Sequence, residues 1–126
     1  MGRGLLVGRR ALITGGDSGI GRAVAIAFAR EGAAVAIGHL ADEETDARAT
    51  LDLVERAGSK GLAVAGDLTD IDACQRLVAG AVEGLGGLDI LVNNAGIHFS
   101  RAGAGTLEGL EPDLVERVLR LNFAAV

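Results

Sequence analysis

The chain has 126 residues, enough for one domain at the usual size of about 100–200 residues. Hydrophobic residues make up 49% and charged residues 23%, a composition that excludes a disordered chain. Twelve lysines and arginines against 17 aspartates and glutamates give a net charge of −5, which argues against binding to nucleic-acid phosphates.

The lengths of the apolar runs and the cysteine content further restrict the class of protein. No apolar run approaches the roughly 18 residues of a membrane span, and the N-terminal residues lack the apolar segment of a signal peptide. Cys74 is the single cysteine, which excludes an internal disulfide, and we expect it to lie in a helix core. The two histidines lack metal-ligand spacing. We therefore expect a cytoplasmic protein without a metal site.

The first half of the chain is predicted to form two strand–helix units. An apolar run predicts a strand over Arg10–Thr14, and helical spacing of apolar residues predicts a helix over Ile20–Glu31. Gly32 is the predicted C-terminal cap of that helix. A strand over Ala33–Ile37 precedes a helix over Asp42–Ala57, whose acidic first turn suits the helix dipole.

The second half continues this alternation. A third strand is predicted over Gly61–Ala65, and Thr69 with Asp72 resembles a capping box that opens the third helix. A fourth strand is predicted over Leu88–Val92, followed by a polar, glycine-rich loop. Pro112 suits the first turn of a fourth helix.

The alternating order of strands and helices predicts the fold class. It indicates an α/β protein with a parallel sheet, and nearly all-apolar strands are typical of a doubly wound sheet with helices on both faces. We expect one domain over residues 1–126. Because the chain ends inside the predicted fourth helix, we expect this domain to be incomplete, stopping after the fourth strand and its following helix.

A glycine-rich turn joins the first predicted strand to the first helix. Its spacing is Gly-x-x-x-Gly-x-Gly, starting at Gly15. Gly15 is expected to allow the turn, Gly19 to let backbone approach a pyrophosphate, and Gly21 to let the helix pack closely on the strand. The helix N-terminus offers free N–H groups to phosphate. Asp17 would repel a pyrophosphate, so we expect Asp17 or Ser18 to cap the helix.

Three motifs in order carry a family resemblance. The turn Thr14–Gly21, then Asp67, then Asn93–Gly96 resemble the N-terminal cofactor half of the short-chain dehydrogenase/reductase family. The stretch from Gly15 is similar to bacterial members grouped with glucose/ribitol dehydrogenases and aldehyde reductases. The resemblance covers nearly the whole chain. It implies a Rossmann-type fold and hydride transfer between a nicotinamide dinucleotide and a carbonyl or alcohol.

The ends of the second and third strands bear on the choice of cofactor. His39 stands where dinucleotide folds place an acid that binds the ribose 2′-hydroxyl. Because the missing carboxylate removes repulsion of a 2′-phosphate, the histidine favours NADP(H) slightly over NAD(H). The alternative for His39 is a solvated loop histidine. The resemblance implies that Asp67 hydrogen-bonds the adenine amino group beside the Leu68 amide. The alternative is an aspartate that starts the next turn.

The tetrapeptide Asn93–Gly96 follows the fourth strand and borders the crevice at the topological switch point. Asn94 can donate and accept hydrogen bonds, which suits a ribose, and small Ala95 and Gly96 let backbone lie against the cofactor. Asn93 is expected to brace the sheet. The predicted cofactor-binding residues are Gly15, Asp17, Ser18, Gly19, Ile20, Gly21, His39, Asp67, Leu68, Asn94, Ala95 and Gly96.

The catalytic set implied by the resemblance is incomplete in these residues. Asn122 matches an asparagine that holds a water in the family's proton relay, the alternative being a polar residue that faces solvent. The serine, tyrosine and lysine of that set have no match. The chain has no tyrosine, and its only lysine, Lys60, precedes the third strand. His98 and Ser100 are expected to be loop residues. We therefore expect these 126 residues to be inactive by themselves.

Three functions follow from these features. The first is an NAD(P)-dependent oxidoreductase of the short-chain type, acting in the intact enzyme on a small carbonyl or alcohol such as a sugar, polyol or aldehyde. The resemblance also implies a homo-oligomer, either a tetramer or a dimer. The second is a non-catalytic dinucleotide-binding module, and the third is a methyltransferase on a similar sheet. His39 and the Asn-Asn-Ala-Gly element argue against the third.

Overall fold

The computed structural model describes residues 2–96, 112, 113 and 116. Strands alternate with helices, and a short 3-10 turn over Ala41–Glu43 precedes the second helix. The elements in chain order are β1 (Arg10–Thr14), α1 (Gly19–Arg30), β2 (Ala34–His39), α2 (Glu44–Arg56), β3 (Gly61–Ala65), α3 (Ile71–Leu85) and β4 (Ile90–Val92).

The four strands form one parallel sheet in the order β3-β2-β1-β4. The chain winds outward from β1 through β2 to β3, then returns to place β4 on the other side of β1. This reversal puts a switch point between β1 and β4, at the carboxyl ends of the strands, where open α/β sheets bind ligands. The predicted α/β doubly wound parallel sheet is confirmed.

Helices cover both faces of the sheet, which explains why the central strands are apolar throughout. Side chains alternate along a strand, so neighbouring residues of β1 enter different cores. The core against α1 and α2 contains Ile13, Ala25, Ala29, Ala33, Val35, Ile37, Ala47, Leu51 and Val54. The core against α3 contains Leu12, Ala36, Leu77 and Ala81. No helix among the described residues is long and apolar enough to cross a bilayer.

Two element boundaries differ from the prediction near the carboxyl edge of the sheet. The second strand does not stop at Ile37, because Gly38 pairs with both neighbouring strands and His39 pairs with Ala65. The second helix begins later than Asp42. The Glu43 carboxylate accepts from the Leu40 N–H at 3.1 Å, which holds residues 41–43 in a tight turn before α2.

The predicted capping box at the start of α3 is wrong by one residue. Asp70 is the N-cap, and its side chain accepts from the Asp72 N–H at 3.0 Å. Thr69 donates its hydroxyl to Asp67 instead, at 2.7 Å. Thr69 and Asp70 are both residue types that cap helices. Because the Thr69 hydroxyl is bonded to Asp67, Asp70 serves as the N-cap.

An ion pair joins the start of β1 to the segment before β4. Arg10 Nε lies 3.0 Å from Asp89 Oδ2, and Arg10 Nη1 donates to the Gly86 carbonyl at 2.8 Å. The Arg10 side chain and then its backbone N–H, both hydrogen-bonded to Asp89, lower the pKa of Asp89. The ionised carboxylate therefore contributes stability above its unfolded pKa, and that contribution is lost as pH falls through the folded value.

Replacing Asp89 with asparagine is expected to reduce the free energy of unfolding at neutral pH and to leave stability less dependent on pH in the acid range. The reason is that the variant has no carboxylate whose pKa differs between the folded and unfolded states. Urea unfolding of both proteins from pH 2 to pH 7 measures this effect. Asp52→Asn, at an exposed helix position, is the control. Parallel stability curves for the wild type and Asp89→Asn would contradict the prediction.

Candidate functional site

A cavity of about 650 Å³ opens at the carboxyl ends of the strands. Its walls come from the turn after β1, the segment after β2, the segment after β3 and the tetrapeptide after β4. Apart from Gly21, every residue predicted to bind the cofactor lines this cavity. The structure therefore brings together side chains from four separate parts of the sequence.

The glycines of the first turn serve three geometric purposes. Gly15 turns the chain off β1 with a φ of +67°. Gly19 has a φ of +55°, and a methyl group added there would meet nothing within 4 Å, so its backbone faces open space. A methyl group at Gly21 would overlap the Gly15 carbonyl oxygen and the Asn94 side-chain nitrogen. Gly21 thus keeps α1 close to the turn, while Gly19 leaves room in the cavity.

The hydroxyl of Thr14 joins the first turn to the tetrapeptide after β4. Thr14 Oγ1 accepts from the backbone N–H groups of Asn94 and Ala95, each at 3.0 Å, and donates to the Val92 carbonyl at 3.4 Å. Thr14 is only 5% exposed, so these hydrogen bonds are shielded from water. Sequence reasoning missed this role, because a threonine at a strand end has no distinctive pattern.

The Asn94 side chain adds a second connection between the same two segments. Its Nδ2 donates to the carbonyl oxygens of Thr14 at 3.2 Å and Gly15 at 3.3 Å. The sequence assigned a bracing role to Asn93, but Asn93 is exposed and the structure gives that role to Asn94. The predicted ribose contact of Asn94 stays a prediction.

His39 lies at the end of β2 and lines the cavity. It is 8% exposed, so the alternative of a solvated loop histidine is wrong. Its Nδ1 lies 2.7 Å from the Leu40 carbonyl oxygen. Because a carbonyl oxygen can only accept, Nδ1 carries the hydrogen in this contact.

Asp67 follows β3, and its carboxylate organises the local turn. Oδ1 accepts from the Thr69 N–H at 2.9 Å and from the Thr69 hydroxyl at 2.7 Å. The alternative of an aspartate that starts the next turn is therefore observed. Asp67 and Leu68 also line the cavity, and their predicted adenine contacts stay predictions. Cys74 is half-buried on α3, where its thiol donates to the Leu68 carbonyl at 3.3 Å.

The prediction that Asp17 or Ser18 caps α1 is wrong. Ser18 occupies the N-cap position, yet no side chain makes a capping hydrogen bond there. The Asp17 side chain is turned inward and only 3% exposed, and its Oδ2 has no hydrogen-bond partner among the described residues. The first N–H groups of α1 are therefore left without a side-chain cap.

Glu43 is a further carboxyl group in the cavity wall, in addition to Asp17 and Asp67, and sequence reasoning placed it only in the acidic start of the second helix. Its Oε1 accepts from the Leu40 N–H at the end of β2. Burial raises the pKa of Glu43, the Leu40 hydrogen bond opposes that rise, and the neighbouring Asp17 carboxyl raises the pKa further. Two acidic side chains therefore influence each other beside the carboxyl end of β2.

Comparison with known proteins identifies the family. The sequence model of the short chain dehydrogenases matches residues 9–126. The chain belongs to the short-chain dehydrogenase family. The resemblance seen in the sequence is thus confirmed, and the methyltransferase alternative is removed.

Named relatives and solved structures of the short-chain dehydrogenase family are similar to this chain. The glucose and ribitol dehydrogenase of Daucus carota is 43% identical over 128 residues, covering 95% of this chain and 42% of the relative. A short chain dehydrogenase from Burkholderia cenocepacia J2315 in complex with NADP is 42% identical with a TM-score of 0.84, covering 95% of this chain and 47% of that one. The NADH-dependent reductase A1-R′ complexed with NAD is 39% identical with a TM-score of 0.82, covering 97% and 49%. The chain spans less than half the length of each.

The part of this short-chain dehydrogenase that the structure describes contains the cavity but not every predicted residue. Asn122, His98 and Ser100 lie outside the described residues. Lys60 is described, and its Nζ donates to the Gly84 carbonyl at 2.6 Å. Since Lys60 directly precedes β3, it lies at the edge of the sheet opposite the cavity.

Proposed function

We propose that the cavity binds the pyrophosphate and adenosine of a nicotinamide dinucleotide. The observation that carries this proposal is the open turn at Gly19, beside helix N–H groups that no side chain caps. Such a helix N-terminus attracts phosphate through its N–H groups and its dipole. The turn at Gly19 fits a pyrophosphate, because the open space beside it would be filled by the side chain of any larger residue.

We propose that the intact protein is an NAD(P)-dependent oxidoreductase that interconverts a carbonyl and an alcohol. When bound, the nicotinamide supplies or accepts the hydride. The contribution of the described residues is binding: the first turn holds phosphate, and Asn94 keeps the tetrapeptide after β4 against that turn. The substrate class, a small sugar, polyol or aldehyde, rests on similarity to relatives such as the carrot dehydrogenase.

We propose that the 126 residues do not complete this reaction by themselves. The proton that accompanies the hydride needs a positioned acid or base, and the chain contains no tyrosine. Lys60 cannot assist from the opposite edge of the sheet. The second function, a non-catalytic dinucleotide-binding module, needs no such acid or base. An in-frame Tyr-x-x-x-Lys in the coding sequence after Val126 would decide for the enzyme, and a stop codon there would decide for the module.

The choice between NADP(H) and NAD(H) has opposing indications. The absence of a carboxylate at position 39 favours NADP(H), and similar structures include one in complex with NADP. The NADH-dependent reductase complexed with NAD is also similar. We therefore propose that the cavity accepts either dinucleotide. Cytoplasmic localisation and assembly into a homo-oligomer, a tetramer or a dimer, stay predictions.

Replacing Gly19 with alanine is expected to weaken binding of NADH and NADPH about tenfold or more, because the new methyl group would occupy the space proposed for phosphate. Gly58→Ala is the matched control: Gly58 has a φ of +90°, also with nothing within 4 Å of an added methyl, but lies outside the cavity. Each variant should lose about 1 kcal/mol of stability from its left-handed backbone. Titration calorimetry with NADH, NADPH and S-adenosylmethionine, together with thermal melts, measures both effects. Equal cofactor affinity in the two variants, or preference for S-adenosylmethionine, would contradict the proposal.

A further inference from the structure

The acidic side chains of the cavity carry an inference that rests on the proposed dinucleotide site. Asp17 and Glu43 both line the cavity. Glu43 is fixed beside the end of β2 by the Leu40 N–H, 3.1 Å from its Oε1. That strand end is where dinucleotide folds place the adenosine ribose and the acid that reads its 2′-hydroxyl. Glu43 therefore stands close to the position that His39 leaves without a carboxylate.

Asp17 supplies a second carboxyl group to the same place. The side chain is 3% exposed, and its Oδ2 has no hydrogen-bond partner among the described residues. Burial of an unpaired acceptor is unfavourable, so this oxygen would gain from a hydroxyl donor that reaches it. A ribose hydroxyl is such a donor, whereas a 2′-phosphate offers only oxygen acceptors and more negative charge.

Positive charge that could offset a 2′-phosphate is missing from the described cavity wall, which contains no arginine or lysine. Arg22, in α1, follows the glycine-rich turn, but its guanidinium does not line the cavity. Nη2 donates to the carbonyls of Asp17 at 2.6 Å and Asp46 at 3.1 Å, and Nε donates to the Thr50 hydroxyl at 2.9 Å. Arg22 thus holds the backbone carbonyl of Asp17, and none of these three hydrogen bonds goes to the Asp17 carboxyl.

We infer that Asp17 and Glu43 are specificity-determining residues that select an unphosphorylated adenosine ribose, so that the site takes NAD(H) in preference to NADP(H). The two residues discriminate at the ribose 2′ position in place of an acid at position 39. Asp17 lies in the turn after β1, and Glu43 lies in the 3-10 turn after β2. This inference reverses the slight preference for NADP(H) drawn from His39 alone. Like-charge repulsion of a 2′-phosphate is the discriminating force.

The test compares the affinities of NADH and NADPH by titration calorimetry in the wild type and in Asp17→Asn, Glu43→Gln and Glu44→Gln. The wild type should bind NADH more tightly, and the ratio of the two affinities should shift toward NADPH by about tenfold in the first two variants. Glu44→Gln removes the same charge from the adjacent, exposed residue and should leave the ratio unchanged. Thermal melts separate a structural role: Asp17→Asn should keep or raise the melting temperature, because it replaces a buried carboxyl whose Oδ2 has no hydrogen-bond partner among the described residues.

The outcomes distinguish this inference from the proposed function. Equal or tighter binding of NADPH by the wild type, an unchanged ratio in Asp17→Asn and Glu43→Gln, or an equal shift in Glu44→Gln would overturn the selectivity while leaving the dinucleotide site intact. A lower melting temperature for Asp17→Asn with no change of ratio would show a structural carboxyl and overturn it as well. Failure of the wild type to bind either dinucleotide would overturn the proposed function itself.

Discussion

Replacing Gly21 with alanine is expected to abolish dinucleotide binding and to destabilise the fold by roughly 3 kcal/mol, the upper end of the cost of overpacking. The added methyl group would overlap the Gly15 carbonyl oxygen and the Asn94 Nδ2, and neither can retreat freely. Both belong to the contact that holds the first turn against the tetrapeptide after β4. The turn must therefore shift, and its N–H groups shift with it. Urea unfolding and calorimetric titration with NADH measure the two effects.

The matched control for Gly21→Ala is a second helical glycine. A methyl group at Gly80, in α3, would lie 3.5 Å from Val64, which is ordinary contact. Because alanine favours helix over glycine by up to about 1 kcal/mol, Gly80→Ala should preserve or increase stability and leave binding unchanged. Retention of wild-type affinity by Gly21→Ala would show that the close approach of α1 is unnecessary for the site.

Much of the fold could be predicted from the sequence because each strand and helix is encoded by a short, continuous run of residues. A parallel strand covered on both faces is a short apolar run, and β1 and β3 begin and end where those runs do. Boundaries failed where a contact outside the run decides them. The second strand was predicted to end at Ile37, yet β1 and β3 both pair with Gly38, and β3 carries the ladder through to His39.

The cavity was predictable as a place, since its glycines and strand ends have known spacing, but its electrostatics were not. Asp17 looked like a helix cap in the sequence. Its inward orientation becomes evident only when Arg22 is seen holding the Asp17 carbonyl and Glu43 is seen beside the end of β2. Contacts between segments distant in sequence leave no periodic pattern. The absence of an acid at position 39 is visible in the sequence, whereas the placement of Asp17 and Glu43 in the cavity wall is not.

Replacing Thr14 with valine is expected to lower the free energy of unfolding by about 2–6 kcal/mol and to weaken dinucleotide binding. Valine has nearly the same shape, so the change isolates the hydroxyl. Without that hydroxyl the N–H groups of Asn94 and Ala95 lose their acceptor in a part-buried position. An unsatisfied buried donor costs about 1–3 kcal/mol, and two donors depend on this oxygen. This contact joins residues 80 positions apart in the sequence, so its loss would disconnect the turn after β1 from the tetrapeptide after β4.

Thr14→Ser provides the control for this prediction, because serine keeps the hydroxyl and loses only a methyl group. It should retain the hydrogen bonds to Asn94 and Ala95 and most of the affinity for NADH, with a smaller loss of stability. Chemical denaturation and calorimetry on the three proteins give the comparison. If the valine and serine variants lose stability and affinity equally, the packing of the methyl group, and not the hydroxyl, joins the two walls. If Thr14→Val loses stability but binds NADH as the wild type does, Asn94 Nδ2 suffices to keep the tetrapeptide against the first turn.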